Sequence, residues 1–210
     1  SLPEIVEVAI AQLSTHDQFF MMAEGGKIDY ASHANDGGTV LREVLDFDNA
    51  IRVAYDFYMQ HPDETLIVVT ADHETGGMAL GNSDYTLNLK VLAEQKCSSD
   101  LLSDQLSALQ KEAGKHLTWE QVKEVISKNT GLYTVVEISK EEDQLLQAAF
   151  EQMMQHQGVE KSLYKDINAL ASKALALLNQ KSRLGWTSKG HTASAVPVFA
   201  IGVGAERFTG

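Results

Sequence analysis

The sequence predicts an α/β fold in which a mostly parallel central sheet is flanked by helices and carries a mainly helical insertion. Three observations carry this expectation. A stretch with helical period is followed by a short, fully apolar run twice within the first 80 residues. Each of those runs stops at a polar, glycine-bounded loop, "EGG" in one case and "TADHETGG" in the other. A comparable apolar run returns only near the end, in "VPVFAIGVG". Strands that are apolar on both faces and separated by helices belong to largely parallel sheets covered on both sides. Such sheets carry their functional loops at the carboxyl ends of the strands.

The elements follow in order. Ile5, Val6, Ala9, Ile10 and Leu13 recur at helical spacing over residues 3 to 14, with Ser1 as N-cap and Pro3 in the first turn. Asp17 to Ala23 reads as a buried strand. The helix period resumes in "DFDNAIRVAYDFYMQH", residues 46 to 61, and Thr65 to Thr70 is the next strand. From residue 86 to 182 the text turns to Leu, Ala, Gln, Glu and Lys and reads as helix. Thr118 with Gln121, and Ser139 with Glu142, fit capping boxes at two helix starts there, and a third helix is expected through "SLYKDINALASKALALLNQ", residues 162 to 180. The domain reading is a core formed by residues 1–85 and 183–210, interrupted by a helical insertion over 86–182.

Composition narrows the function classes. With 210 residues, 44% of them hydrophobic and 22% charged, the chain has the makings of a globular core. A net charge of −12 argues against nonspecific binding to nucleic acid or to anionic membranes, which needs clustered Lys and Arg. No apolar run approaches the roughly 20 residues of a membrane span, so neither nucleic acid nor membrane is expected as a partner. A single cysteine, Cys97, leaves no internal disulfide and no cysteine-based metal cluster. An acidic protein repels phosphates unless bound cations reverse the local field.

Three stretches offer metal-ligating groups. In "EGGKIDYASH", Asp29 and His33 are four apart, so a helical turn sets them on one face with roughly 5 to 6 Å between Cβ atoms. In "TADHETGG", Asp72 and His73 follow an apolar strand in irregular backbone, and His191 stands in "KGHT" ahead of the last strand. Taken singly, Asp29 serves as a capping residue, Asp72 as an Asx turn, and the histidines as ordinary loop residues. Glu24, at the end of a buried run, is harder to dismiss, because a carboxylate there calls for a cation. The joint pattern at three strand–loop junctions favours a metal. Thr70, Glu74, Thr75, Lys189 and Thr192 flank these groups and are candidates to orient them.

"FFMMAEGGKIDYASHAND", then "TLIVVTADHETGG", then "GWTSKGHT" resembles the carboxyl-terminal half of alkaline phosphatase, over residues 1 to about 82 and 183 to 210. The resemblance implies that Asp29, His33 and His191 hold a first zinc, Asp72 and His73 a second, and Glu24 a magnesium, the last two sets being incomplete here. It implies hydrolysis of phosphate monoesters through a phosphoserine whose serine lies upstream, so that the chain reads as a carboxyl-terminal fragment with no nucleophile of its own. A periplasmic or secreted setting and a homodimer are further implications. Two other readings stay open: another phosphohydrolase or phosphomutase on the same metal scaffold, and a noncatalytic metal-binding or interaction domain.

Overall fold

A computed structural model describes residues 1–82, 85–155, 157–161 and 164–208. Helix α1 (Leu2–Leu13) starts at Ser1 with Pro3 in its first turn, as expected. The strand expected over Asp17 to Ala23 does not form, and this stretch is largely exposed, Phe20 by 89%. An apolar run becomes a strand only where a neighbour pairs its backbone, and no described segment does so here. Helix α2 (Gly26–His33) follows, then α3 (Gly37–Gln60). The helical period expected from residue 46 to 61 falls in α3 up to Gln60, with His61 as its C-cap, and the true start of α3 is hidden in the sequence by Gly37 and Gly38. Other segments press on both glycines: a Cβ on Gly37 would stand 2.6 Å from Asn179 Oδ1, and one on Gly38 2.3 Å from Gln95 Oε1.

The N-cap of α3 is Asp36, which is fully buried. Its carboxylate accepts from the Thr39 backbone N–H (3.1 Å), the Thr39 hydroxyl (2.8 Å), the Gln95 amide (2.6 Å) and the Ser99 backbone N–H (2.7 Å). A buried carboxylate with four donors meets the condition under which such a group is tolerated.

The strands, in chain order, are β1 (Leu66–Val69), β2 (Glu74–Thr75), β3 (Ala79–Leu80), β4 (Val159–Glu160), β5 (Ile167–Asn168), β6 (Leu184–Gly185), β7 (His191–Thr192) and β8 (Phe199–Gly202). Strands β1 and β8 fall inside the expected runs, and they pair with each other, Leu66 opposite Gly202 and Val69 opposite Phe199. That pairing is antiparallel, as are β2 with β7, β3 with β6 and β4 with β5, so no parallel sheet is built by the named strands among the described residues. Apolar text reports the character of a strand's two faces and is silent on the direction of its partner. The faces themselves alternate between exposed and half-buried in both β1 and β8.

Residues 90 to 182 hold α4 (Lys90–Ala93), α5 (Ser99–Ala113), α6 (Trp119–Thr130), α7 (Lys140–Met154) and α8 (Ala169–Ser182). Both capping boxes are present, at Thr118 with Gln121 and at Ser139 with Glu142. Helix α8 begins later than the expected residue 162, because Asn168 caps it through Leu170 N–H while Ile167 and Asn168 pair with β4. Ser162 and Leu163, the first residues of that expected helix, lie outside the described residues. Helix α8, buried along most of its surface but exposed at Lys173, Ala176 and Gln180, packs against α4, α5, α6 and α7. Leu102, Leu106, Ile126, Leu170 and Leu178 show no exposed area and anchor the main core. A smaller cluster, Val6, Ile10 and Ala50, joins α1 to α3. No described helix is long and apolar enough to cross a membrane.

Candidate metal centre

One turn of α2 sets Asp29 and His33 on a common face, with His33 Nε2 at 3.4 Å from Asp29 Oδ1. Gly25 precedes the helix where a Cβ would meet the Phe47 ring at 3.1 Å, so the turn into α2 sits close against α3. His33 is buried, and its Nδ1 lies 2.6 Å from the carbonyl oxygen of Lys189. A carbonyl can only accept, so Nδ1 carries the proton and Nε2 the lone pair. That Nε2 is buried and has no hydrogen-bond partner. Two lone-pair atoms facing one another at 3.4 Å are reconciled by a shared cation, and this orphaned nitrogen is the observation that fits a metal ion to the site.

The second side of the cluster comes from the two-residue ladder of β2 and β7, which places His191 opposite Thr75 and Thr192 opposite Glu74. The Thr75 hydroxyl donates to Asp29 Oδ1 at 2.6 Å and also lies 3.2 Å from His73 Nδ1. Glu74 accepts from the Thr192 hydroxyl and from Gly77 N–H, which locks the ladder from its other residue. Beyond it, Gly76 takes φ +86°, donates to the Gly190 carbonyl at 2.8 Å and accepts from Thr187 N–H at 2.9 Å. A Cβ at Gly76 would stand 2.7 Å from the Trp186 ring. Trp186 thus packs against the turn that follows β2.

The result gathers one carboxylate and three imidazoles. Ligand atoms of Asp29, His73 and His191 lie within 4.8 Å of one another, and the His73 and His191 rings stack at 3.5 Å between centroids. The His33 and His191 rings are 5.1 Å apart. This nitrogen and oxygen donor set, without sulfur, suits a zinc site. Partial burial alone would raise the Asp29 carboxyl; hydrogen bonds from Thr75 and Tyr164 outweigh it and hold the group below the usual carboxylate range. The Tyr164 hydroxyl, which donates to Asp29, is pushed up to about 12 and remains a donor at neutral pH.

Of the six residues singled out in the sequence, four are therefore brought together. Asp72 is exposed and adjoins His73, its Oδ2 at 3.3 Å from His73 Nε2. Glu24 is exposed, because the run before it is not a buried strand, so the burial argument for a cation at Glu24 does not hold. Its charge is nevertheless felt at the Tyr164 hydroxyl. The three residues whose ligand atoms lie within 4.8 Å of one another are Asp29, His73 and His191, while His33 approaches Asp29 from the same helix.

A family model described as alkaline phosphatase matches residues 1–210. The chain belongs to the alkaline phosphatase family. Alkaline phosphatase 4 of Bacillus subtilis (strain 168) is 32% identical over 212 aligned residues, which cover 100% of this chain and 40% of that protein. The crystal structure of the cold-active alkaline phosphatase from the psychrophile Shewanella sp. superposes with a TM-score of 0.78 at 28% identity, covering 100% of this chain and 46% of that one. A TAB5 alkaline phosphatase mutant solved with Mg bound in its M3 site gives a TM-score of 0.50 at 25% identity, over 100% of this chain and 36% of its own. The chain thus spans less than half the length of these alkaline phosphatases.

In this alkaline phosphatase family member, Thr75 and Lys189, expected among five flanking residues that could orient the ligands, do hydrogen-bond Asp29 and His33, Lys189 through its backbone carbonyl. Tyr164 was missed from the sequence altogether. That residue is 135 positions from Asp29, in a stretch read as helix, and its one sequence signal is a lone aromatic.

Proposed function

We propose that the chain carries most of the metal-binding part of a zinc- and magnesium-dependent phosphomonoesterase. The observation that carries this reading is His33: its Nδ1–H is tied to the Lys189 carbonyl, and its buried, partnerless Nε2 faces Asp29. Asp29, His33 and His191 would hold the first zinc, Asp72 and His73 the second, and Glu24 would contribute to a magnesium site. The magnesium in the TAB5 mutant supports a third position of this kind. Bound there, these cations supply Lewis-acid stabilisation for the negative charge that develops on the phosphoryl and leaving-group oxygens.

The chain's own residues divide the remaining work. The Lys189 carbonyl fixes the His33 tautomer, Thr75 fixes one oxygen of Asp29, and the β2–β7 ladder holds His191 in place. The attacking serine, which would pass through a phosphoserine, stands outside these 210 residues in this reading, since none of the serines here lies in a nucleophile motif. Residues 86–182 are an insertion between the two parts of the core, 1–85 and 183–210. Family resemblance adds a periplasmic or secreted setting and a homodimer.

The test compares this chain with one extended upstream, assaying an aryl phosphate and measuring zinc content of both. The extended chain is expected to bind zinc and hydrolyse the ester. An extended chain that binds no zinc, or binds it and leaves the ester intact, overturns the reading. Hydrolysis by the short chain alone overturns the placement of the serine. His191→Ala should weaken zinc binding at the first site by about 100-fold or more, on the order of 3 kcal/mol. Because the imidazoles bind metal only when neutral, zinc should be released as the pH falls through the histidine range.

A further inference from the structure

Asp29 has two carboxylate oxygens, and each accepts one hydroxyl. Oδ1 takes the Thr75 hydroxyl, from β2, and Oδ2 takes the Tyr164 hydroxyl at 2.7 Å, from the segment between β4 and β5. Tyr164 lies between β4 and β5 and is 48% exposed, so burial does not account for its place. Its ring stacks on Tyr30, the residue after Asp29, at 3.7 Å between centroids with 19° between planes, and meets the His33 ring edge-on at 5.6 Å. The next residue, Lys165, is fixed to α5 by 2.7 Å contacts to both oxygens of Asp104. The tyrosine is therefore held from both sides and aimed at a single acceptor.

We propose that Tyr164 is a positioning residue for Asp29, setting the plane of that carboxylate so that its remaining lone pairs point at the metal. The inference rests on the reading of Asp29 as a ligand. A hydrogen bond to a carboxylate is among the stronger neutral-donor bonds, and with both oxygens tied the group cannot rotate about its Cβ–Cγ bond without breaking one of them. The same hairpin touches the neighbouring ligand's support as well. Glu160 of β4 accepts from Lys189 Nζ at 2.5 Å, and the Lys189 carbonyl is what holds His33. A partner of this type outside the coordination shell is worth about 10- to 100-fold in metal affinity.

The experiment measures zinc affinity of the 210-residue chain by competition with a chromophoric chelator, together with the visible spectrum of the cobalt-substituted chain. Tyr164→Phe, Tyr164→Ala and His191→Ala are compared with the unaltered chain, and far-UV circular dichroism is recorded for each. Tyr164→Phe keeps the ring stack and loses only the hydroxyl. It is expected to weaken zinc about 10-fold or more and to change the cobalt band, with helicity unchanged. If Tyr164→Phe binds zinc like the unaltered chain, the inference is overturned, even if Tyr164→Ala is weaker, because packing alone then explains the residue. Loss of helicity in Tyr164→Phe would assign it a structural role and overturn it likewise. If His191→Ala loses zinc while Tyr164→Phe keeps it, only the inference falls; if the unaltered chain binds none, the inference falls, and the zinc content of the chain extended upstream decides the metal reading.

Discussion

The helical segment and the metal-bearing segments are held together by different means. Residues 90 to 182 surround a core in which Leu102, Leu106, Ile126, Leu170 and Leu178 expose nothing, whereas α1 and α3 share only Val6, Ile10 and Ala50 as buried apolar contacts. Around the candidate ligands, order comes instead from hydrogen bonds on short elements: a two-residue ladder, an eight-residue helix and a left-handed glycine. Apolar area supplies stability in bulk, while hydrogen bonds supply direction. A metal site needs direction most. The difference shows that apolar burial marks where this chain is strong, while its candidate chemistry lies where hydrogen bonds set direction.

Substitutions in each region sharpen that contrast. Leu178→Ala removes a fully buried side chain from the main core and should cost about 2–5 kcal/mol in urea unfolding followed by circular dichroism. Zinc affinity at folded temperatures should stay the same; a parallel loss would show that the two regions do not behave separately. Gly76→Ala should cost less in stability, about 1–3 kcal/mol, since φ +86° is unfavourable for alanine and its Cβ would meet Trp186. Here the effect should also reach zinc affinity, because Gly76 bonds Gly190, the neighbour of His191.

The smallest effect is expected at Glu142, which closes a capping box with Ser139 and bonds Lys181 at 2.8 Å while one-fifth exposed. Glu142→Gln should cost about 1 kcal/mol. Desolvation raises the Glu142 carboxyl, and the bonds from Lys181 and Ser139 outweigh it and lower it. A depressed native value means stability that is present above the ordinary 4.5 and lost as pH falls through the native value. Thermal unfolding from pH 6 down to pH 3, a window of about three units spanning ordinary carboxylate values, should show a fall-off that Glu142→Gln lessens.

Much of the fold could be read in the sequence where local chemistry decides it. Thr118 with Gln121 and Ser139 with Glu142 announce their helices because capping involves residues three apart. Asp29 and His33, four apart, were legible as a pair because one helical turn sets them on a common face. What depends on distant partners was not. Gly37 and Gly38 look like a loop until Asn179 and Gln95 are seen against them. Asp17 to Ala23 looks like a buried strand until its backbone is found without a ladder. The exposure of Glu24 followed from that error, and the antiparallel pairing of β1 with β8 joins strands about 130 residues apart. Tyr164 approaches Asp29 only through the third dimension.

Asp36, described above as a helix cap, has a mechanical meaning as well. Its four donors come from three places in the chain, Thr39, Gln95 and Ser99, so one carboxylate rivets the start of α3 to the entrance of α5. His33 is three residues away, and Asp36 N–H is itself tied to the Ala31 carbonyl. A rivet that close moors the backbone carrying the imidazole to the first turns of α3 and α5, so that one carboxylate, together with the Lys189 carbonyl, sets where His33 stands.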